Sequence, residues 1–430
     1  MKLPSNPVGA HPSTYKGHLV SLEVLCHYAK KGDVKELPQE VWNREAIKVR
    51  QNSDGNTALH WIARSGCLLD VDSIKDTDGN INLTSDELNL ENNFGDTILH
   101  NIATRGQINL LKPEVLAEVN FCKANKKGMT QLHSAAAGGS LHQVPKDFLV
   151  LENLKLKNKS GYSVFHLAAK FKHLDQIPEE LLNHENLSLD TSLGDNIYQV
   201  AAEYGSLSQI PEHLLTDEVL LKTNPSGNSS PVQMAAMYGH FEQIPKRLYR
   251  QEVFMMENNL KETTLMLLGQ GGQLGLVPEE FLTWSNLRHQ CNHGFDAIHL
   301  AARESKLHLV PKHLLNEKTL YCSNKFGFTA LHSAGKNGQI KDIPPEFITY
   351  ERMMQAATNG ETPLQRLHDC IKDSVSEIKQ LPVLTAYGLT MPQAERVIWY
   401  NELKAFKVPN IEHLKQNWEH LTPQGSWSLE

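Results

Sequence analysis

The chain has 430 residues, more than one ordinary hydrophobic core holds, so its length predicts either two or three domains or one repeat array. Its formal net charge is −7, with 42 Lys and Arg against 49 Asp and Glu, so no overall positive field draws it to nucleic acid or to an anionic membrane. The six cysteines are scattered and include no CxxC pair, which argues against a zinc cluster and against a disulfide framework.

Residues 1–19 form an N-terminal extension that contains Pro4, Pro7 and Pro12. This extension has no apolar run long enough for the core of a signal peptide or for a membrane helix. We therefore expect a soluble, intracellular protein of the cytoplasm with reduced thiols. The sequence does not distinguish this from a protein that is delivered into a host cell.

A short pattern repeats along most of the remaining chain. Glycine recurs in steps that are almost always 33 residues long, with one step of 34 and one of 40, and Lys261 stands where one glycine is missing. The repeated glycines are Gly55, Gly95, Gly128, Gly161, Gly194, Gly227, Gly294, Gly327 and Gly360. The residues after each glycine repeat as well, as Thr57-Ala-Leu-His60, Thr97-Ile-Leu-His100, Thr130-Gln-Leu-His133, Ser163-Val-Phe-His166 and Thr329-Ala-Leu-His332.

This pattern resembles the T-P-L-H-x-A signature of the ankyrin repeat. The resemblance covers about residues 20–380 in about ten units, with a degenerate first unit around His27 and an insertion near residues 68–82. It implies an all-α solenoid of stacked units with hairpin-like fingers. It also implies that the repeated histidine hydrogen-bonds between the backbones of neighbouring units, and that the chain binds proteins and does not catalyse a reaction.

Each part of the unit has a physical reason. The side chain of Asn158 can cap a turn while Gly161 takes a positive φ, which predicts a finger. Ser163 then N-caps the first helix, and the small side chains of a His-x-Ala-Ala stretch, residues 166–169, let neighbouring helices pack closely. A hydrophobic residue followed by proline departs from the usual ankyrin pattern, so we expect prolines such as Pro178 to begin a shortened second helix.

The insertion contains Asp, Gly and Asn residues that fit part of an EF-hand calcium loop. Asp76, Asp78 and Gly79 occupy suitable positions, but Ile74 stands where the first carboxylate belongs and Ser85 where the closing glutamate belongs. A polar turn explains the same residues. We favour the turn and expect no metal and no cofactor, and the sequence leaves weak calcium binding open.

No catalytic motif accompanies the repeats. The 21 histidines suggest a catalytic or metal-binding interpretation, yet six of them occupy one repeat position, which a structural role explains. Those six are His60, His100, His133, His166, His299 and His332. The sequence has no HExxH, GxSxG or GxxxxGK[ST] motif, so we expect no catalytic residue and no enzymatic activity.

Three aromatic residues predict a binding stripe at the repeat position five residues after that histidine. They are Phe171, Tyr204 and Tyr238, in successive units. Because adjacent repeats stack in register, we expect these rings to face the inner, concave groove and to resemble the apolar core of an interface. The alternative is that they pack against neighbouring helices as part of the fold.

The finger tips are a second predicted binding surface. The exposed apolar anchors that we expect there are Phe94, Leu193, Leu260 and Phe326. The lysines that bring positive charge to adjacent fingers are Lys126, Lys127 and Lys159. These lysines predict contact with an acidic partner, or else they are solvated side chains that tune rates and specificity.

Beyond about residue 381 the glycine register ends and two amphipathic stretches follow. The last unit of a solenoid exposes an apolar face, so we interpret residues 381–430 as a helical cap. One alternative is an adaptor segment that recruits a second protein. A less favoured one is an effector or toxin activity, since the segment holds no convincing nucleophile, base or metal set.

Together these features predict a non-enzymatic scaffold that binds a target protein through its concave face and finger tips, and could thereby sequester or inhibit it. We expect a monomer whose partner is a protein, with no nucleic acid and no membrane involved.

Overall fold

A computed structural model describes residues 13–15, 18–50, 53–224, 229–373 and 400. Apart from Tyr400, the predicted cap over 381–430 lies outside the described residues, and so does most of the extension 1–19. The chain forms two compact units, which divide between Thr216 and Asp217. The expectation of one repeat array over residues 20–380 stays a prediction.

The described residues are mostly helical, as the predicted all-α class requires. Two short antiparallel strands, β1 (Ser13–Tyr15) and β2 (His18–Val20), form a hairpin in which Ser13 lies opposite Val20. Elsewhere in the described ranges, β-structure is limited to isolated backbone bridges at the bases of turns.

Unit 1 alternates longer and shorter α-helices. In chain order they are α1 (Leu22–Lys31), α2 (Ala58–Ser65), α3 (Ser85–Leu88), α4 (Ile98–Thr104), α5 (Pro113–Glu118), α6 (Gln131–Gly138), α7 (Leu151–Leu154), α8 (Val164–Lys170), α9 (His184–Leu187) and α10 (Ile197–Tyr204). The longer ones, which we call first helices, are α1, α2, α4, α6, α8 and α10, and each packs on the next.

Unit 2 follows the same alternation. Its α-helices are α11 (Asp217–Leu221), α12 (Pro231–Tyr238), α13 (Gln251–Phe254), α14 (Thr264–Gly271), α15 (Trp284–Leu287), α16 (Ala297–Arg303), α17 (Glu317–Leu320), α18 (Ala330–Lys336), α19 (Tyr350–Met353) and α20 (Pro363–Asp373). Here the first helices are α12, α14, α16, α18 and α20, and each again packs on the next.

Single turns of 3₁₀-helix follow the first helices. In unit 1 they are Val34–Glu36, Gln39–Val41, Ala46–Lys48, Leu68–Asp70, Asp72–Ile74, Ile108–Leu110, Leu141–Gln143, Lys146–Phe148, Leu174–Gln176, Glu179–Leu181, Leu207–Gln209 and Glu212–Leu214. In unit 2 they are Phe241–Gln243, Lys246–Leu248, Leu274–Leu276, Glu279–Phe281, Leu307–Leu309, Lys312–Leu314, Ile340–Asp342 and Pro345–Phe347.

The prediction that proline begins a shortened second helix is wrong in detail. Pro178 has φ −53° and ψ 130°, an extended conformation, and stands between two 3₁₀ turns, with α9 following as a single helical turn. Ile177, the residue before it, is extended as well, with ψ 137°. A residue that precedes proline is sterically kept out of the helical region, so the chain cannot run helically through this point. The proline therefore breaks the outer segment into short turns.

Small side chains allow the first helices to approach one another. The residue before the repeated histidine is large and buried. In unit 1 this position is occupied by Leu59, Leu99, Leu132, Phe165 and Tyr198, each at most 1 % exposed. At Gly138, in α6, a Cβ atom would lie only 2.3 Å from the backbone oxygen of Thr104 in α4. Only glycine permits so close a contact at that point.

Candidate interaction site

The repeated histidine links a first helix to its own N-cap and, at several repeats, to the following finger. In α2, the backbone N–H of Thr57 donates to Nδ1 of His60 over 3.1 Å, so Nδ1 is the unprotonated nitrogen. Nε2 therefore carries the proton and donates to the backbone oxygen of Asp96, 3.2 Å away. Both ring nitrogens are engaged by the fold, which leaves this imidazole no free nitrogen for a metal or a substrate.

The predicted backbone link between neighbouring units is confirmed at four of the six positions. Nε2 reaches a backbone oxygen 29 or 36 residues further along the chain at His60, His100, His133 and His299. Where the sequence has Gln233 instead, Oε1 accepts from the N–H of Ser230 as Nδ1 of the histidine does, and Nε2 donates to a different backbone oxygen of the following repeat, that of Met256. Where both contacts are present, the side chain supplies one acceptor and one donor to the fold, which describes a structural role.

Burial keeps these imidazoles neutral. Loss of hydration lowers the pKa of His60, His133, His166 and His332 to about 4, and it also lowers the pKa of His100. His299 differs, because its N-cap is Asp296 and the two side chains form a buried ion pair at 2.8 Å. Burial alone would lower the pKa of His299, but the charge of Asp296 and its hydrogen bond outweigh that effect and raise it.

The fingers are short turns closed by a backbone bridge, such as the bridge of Glu91 with Thr97 around residues 92–96. We call the residue immediately before the finger glycine, or before Lys261 where that glycine is missing, the tip residue. At Phe94 the backbone N–H donates to Oδ1 of Asn92, and the backbone oxygen accepts from the N–H of Lys126 in the next finger, each over 2.9 Å. Both polar backbone groups of this tip residue are therefore satisfied within the fold.

This contact between fingers recurs in both units, and it is one of two reasons for the finger glycine. The tip oxygens of Lys127, Leu260 and Phe326 accept in the same way from the following finger. Gly128 has φ +76°, and a Cβ atom there would lie 3.0 Å from the backbone nitrogen of Lys159. Glycine is needed both for the left-handed backbone and for the close approach of the next finger.

The predicted apolar anchors are all tip residues, and their predicted exposure is confirmed. Phe94 is 51 % exposed, Leu193 74 %, Leu260 46 % and Phe326 45 %. Phe94 and Leu193 belong to unit 1, whereas Leu260 and Phe326 belong to unit 2. Their role in binding a partner stays a prediction.

The three predicted aromatic residues are not equivalent. Phe171 and Tyr238 are 45 % and 49 % exposed, at the ends of α8 and α12. Tyr204 is only half-exposed, and the ammonium of Lys170 lies 4.9 Å from the centre of its ring. Phe171 and Tyr204 lie in unit 1 and Tyr238 in unit 2. The packing alternative therefore has most support at Tyr204.

The predicted lysines lie on fingers of unit 1. Lys126, Lys127 and Lys159 are exposed, and Lys127 is itself a tip residue. Lys127 also lines a cleft of about 950 Å³ in this unit, together with cationic residues that the sequence analysis did not single out. These are Lys30, Lys31, Arg64 and Arg105. Aligning the repeats column by column would have found them, because each lies one or two positions before the glycine that follows α1, α2 or α4.

The insertion near residues 68–82 contains an additional finger-like turn. Asp76 accepts from the N–H groups of Asp78 and Asn80 through Oδ1, as Asn92 does in the next finger, and Lys75 bridges to Ile81. Oδ2 of Asp76 forms an ion pair with Lys112 at 2.8 Å, and this contact is the main cause that lowers the pKa of Asp76. The polar turn accounts for the residues that resembled a calcium loop.

Two further findings concern the described residues alone. Nowhere in those ranges do three His, Cys, Asp or Glu side chains come together as they would around a metal ion. None of the helices described is both long enough and apolar enough to cross a membrane.

No protein-family model matches the sequence, and no curated protein matches it.

Proposed function

We propose that the chain is a non-enzymatic, ankyrin-type scaffold that binds a partner protein through its finger tips and the inner side of its first helices. The observation that carries the proposal is the repeated tip position, at which large apolar side chains are exposed in both units. The ankyrin assignment itself is supported by the repeat spacing and by the Thr–His contact at the start of the first helices.

The geometry of the tips suits recognition. A tip residue such as Phe326 has its N–H bound to Asn324 and its oxygen bound to Thr358, so the backbone is held in place while the side chain stays exposed. Burying an exposed Phe or Leu in an interface is favourable by about 25 cal/mol for each Å² of apolar surface. Little ordering entropy opposes that gain when the anchor is already fixed.

The reactive side chains are largely occupied by the fold, which supports a binding role over a catalytic one. The repeated histidines are held in neutral form or, at His299, in an ion pair. Burial raises the pKa of Cys26 to about 12 and raises those of Cys122 and Cys322, which keeps these thiols protonated and poorly nucleophilic at neutral pH.

The test is affinity capture with the full chain as bait in a lysate of its native cell. The test bait carries Asp at the four apolar tips, namely Phe94→Asp, Leu193→Asp, Leu260→Asp and Phe326→Asp. The control bait carries Leu69→Asp and Leu276→Asp, which change side chains of similar exposure, 50 % and 40 %, on 3₁₀ turns away from the fingers.

We expect one or more proteins to be captured by the wild-type and control baits and to be depleted at least about tenfold with the tip variant. Circular dichroism must show that all three baits unfold at the same temperature. Equal depletion by the control bait, or capture that does not depend on the tips, would exclude the tips as the binding surface.

A further inference from the structure

The cleft of unit 1 is lined by the C-terminal ends of three successive first helices and by two fingers. Its lining includes Lys30 and Lys31 of α1, Arg64 of α2, and Arg105, which directly follows α4. The finger that follows α4 contributes Lys127. Four successive repeats therefore each supply at least one cation to one cleft, whose volume is about 950 Å³.

These cations are not neutralised within the described part of the chain. None of the five takes part in an ion pair among the described residues. The one carboxylate that lines the cleft, Asp96, accepts from the amide of Asn125 at 2.5 Å. A chain with a formal charge of −7 thus concentrates unpaired positive charge at one place.

Trp61 adds an apolar surface between two of the charges. Its half-exposed ring lies 5.1 Å from the ammonium of Lys30 and 5.5 Å from the guanidinium carbon of Arg64. Both distances are typical of cation–π contacts. Nε of Arg105 donates to the backbone oxygen of Arg64, which ties the third cation to the same place. The cleft therefore combines one aromatic platform with partly fixed cations.

The distribution of these groups favours an extended acidic peptide over a phosphate group. A phosphate is held by donors that converge on one point, whereas here the cations come one or two from each successive repeat. An extended chain advances about 3.3 Å for each residue, so several carboxylates can meet cations on neighbouring repeats. Single-stranded nucleic acid is favoured by several aromatic platforms in a row, and among the described residues Trp61 is the one Phe, Tyr or Trp that lines this cleft.

We propose that this cleft binds an extended acidic segment of a partner protein, with an apolar side chain of that segment on Trp61. This inference rests on the proposed scaffold function and names the chemistry of the partner. The tips and the cleft are then two separate parts of the binding surface, one apolar and one cationic.

Fluorescence anisotropy with the full chain tests the proposal. The probe is a fluorescein-labelled, glutamate-rich peptide with a leucine at its centre. The comparison probes are the same peptide with glutamine in place of glutamate and a single-stranded DNA oligonucleotide of similar length. The test variant is Arg64→Glu with Arg105→Glu. The matched control is Lys336→Glu, an exposed cation of unit 2 at the repeat position that Arg64 occupies, four residues after the histidine.

We expect the acidic peptide to bind and the glutamine peptide to bind at least about tenfold more weakly. The double variant should weaken binding at least about tenfold, and the control should change it less than about twofold. Trp61→Ala should weaken the leucine peptide more than a peptide with glycine at that place. Should the double variant unfold, Lys127→Glu on the finger provides the same test.

Equal binding of the glutamine peptide, tighter binding of the DNA than of the acidic peptide, or an equal effect of Lys336→Glu would each overturn the inference. Its failure is distinct from that of the scaffold proposal. If the peptide does not bind while the tip variants still abolish capture, the cleft proposal falls and the scaffold proposal stands. If Phe94→Asp and Leu193→Asp leave capture intact while the peptide binds, the tips are not the binding surface.

Discussion

The two units obey the same rules at buried positions and different ones at exposed positions. Both use a polar N-cap, a buried histidine or glutamine, and small residues between first helices. The position four residues after the histidine is exposed to solvent on several repeats and varies freely. In unit 1 it holds Arg64, Thr104, Ala137, Lys170 and Glu203, and in unit 2 it holds Met237, Gln270, Arg303 and Lys336. The comparison teaches that the residues that build the fold and the exposed residues that vary occupy separate columns of the repeat.

The two units also differ in the pKa of the repeated histidine. In unit 1, four buried histidines have lowered pKa values. In unit 2 the pKa of His332 is lowered, whereas the pKa of His299 is raised. The N-cap before His299 is Asp296, in place of the Thr or Ser of most other repeats. A single substitution at the cap therefore reverses the protonation preference without changing the fold of the unit.

The largest expected effect is an unequal response of the two units to acid. A histidine with a pKa of about 4 in the folded state and 6.5 unfolded binds fewer protons when folded, so its contribution to stability is lost as pH falls from about 6.5 towards 4. At pH 5 this costs on the order of 2 kcal/mol for each such histidine. The raised pKa of His299 has the opposite effect, because its contribution to stability is lost as the pH rises through the raised value.

Hydrogen exchange followed by mass spectrometry measures this, as protection factors corrected for the intrinsic exchange rate at pH 7 and pH 5. We expect protection to fall much more in α6 of unit 1 than in α16 of unit 2. Equal losses in the two helices would show that the lowered pKa values do not control acid stability.

The second effect separates the two reasons for the finger glycine. Gly79 and Gly128 both have positive φ, but a Cβ atom at Gly79 would meet nothing within 4 Å, whereas at Gly128 it would press against the next finger. Gly79→Ala should cost about 1–2 kcal/mol of unfolding free energy, the strain of the left-handed conformation alone. Gly128→Ala should cost several kcal/mol.

In unit 2, Gly327 and Gly360 form the corresponding pair. A Cβ atom at Gly327 would lie 3.1 Å from the backbone nitrogen of Thr358, whereas at Gly360 it would meet no atom of the described residues within 4 Å. Urea denaturation measures all four variants. Similar losses at Gly79 and Gly128 would mean that the finger contacts add little to stability.

The third effect concerns the buried ion pair. Asp296→Thr restores the cap that α2, α4 and α6 use, and removes the charge that raises the pKa of His299. We expect the pKa of His299 to fall below 6.5, so that acid then destabilises α16 as it does the first helices of unit 1. The chemical shift of the His299 ring in a pH titration measures this, with Asp296→Asn as the isosteric control. A pKa that stays raised in Asp296→Thr would contradict the role of the carboxylate.

The smallest effect is expected at the insertion. Because Asp76 is already engaged by two backbone N–H groups and by Lys112, calcium has no free carboxylate to bind at that residue. We expect EDTA and added calcium to leave the melting temperature unchanged. Lys112→Met should likewise change the melting temperature little, because a partly exposed ion pair is screened by solvent. A melting temperature that rises by several degrees with calcium would revive the EF-hand interpretation.

Much of the local structure followed from the sequence, because it depends on neighbouring residues. The finger glycines, the Asn-capped turns and the Thr or Ser N-caps are set within four residues of one another, as at Asn158, Gly161 and Ser163. The exposure of Phe94 and Leu193 followed from their place at the tip of such a turn. The outer segment did not follow, since Pro178 is compatible both with the first turn of a helix and with an extended break between two turns.

What the sequence by itself determined is the repeat, its caps and its turns, all of which are short-range preferences of the backbone. Only the tertiary structure decided which exposed side chains share a surface. Lys30, Arg64, Arg105 and Lys127 are 33 or more residues apart in most cases, and they line one cleft because successive first helices and fingers stack. Likewise, Nε2 of His100 meets the oxygen of Met129 only when the next finger is in place. Contacts over such separations depend on the packing of successive repeats, which no local pattern specifies.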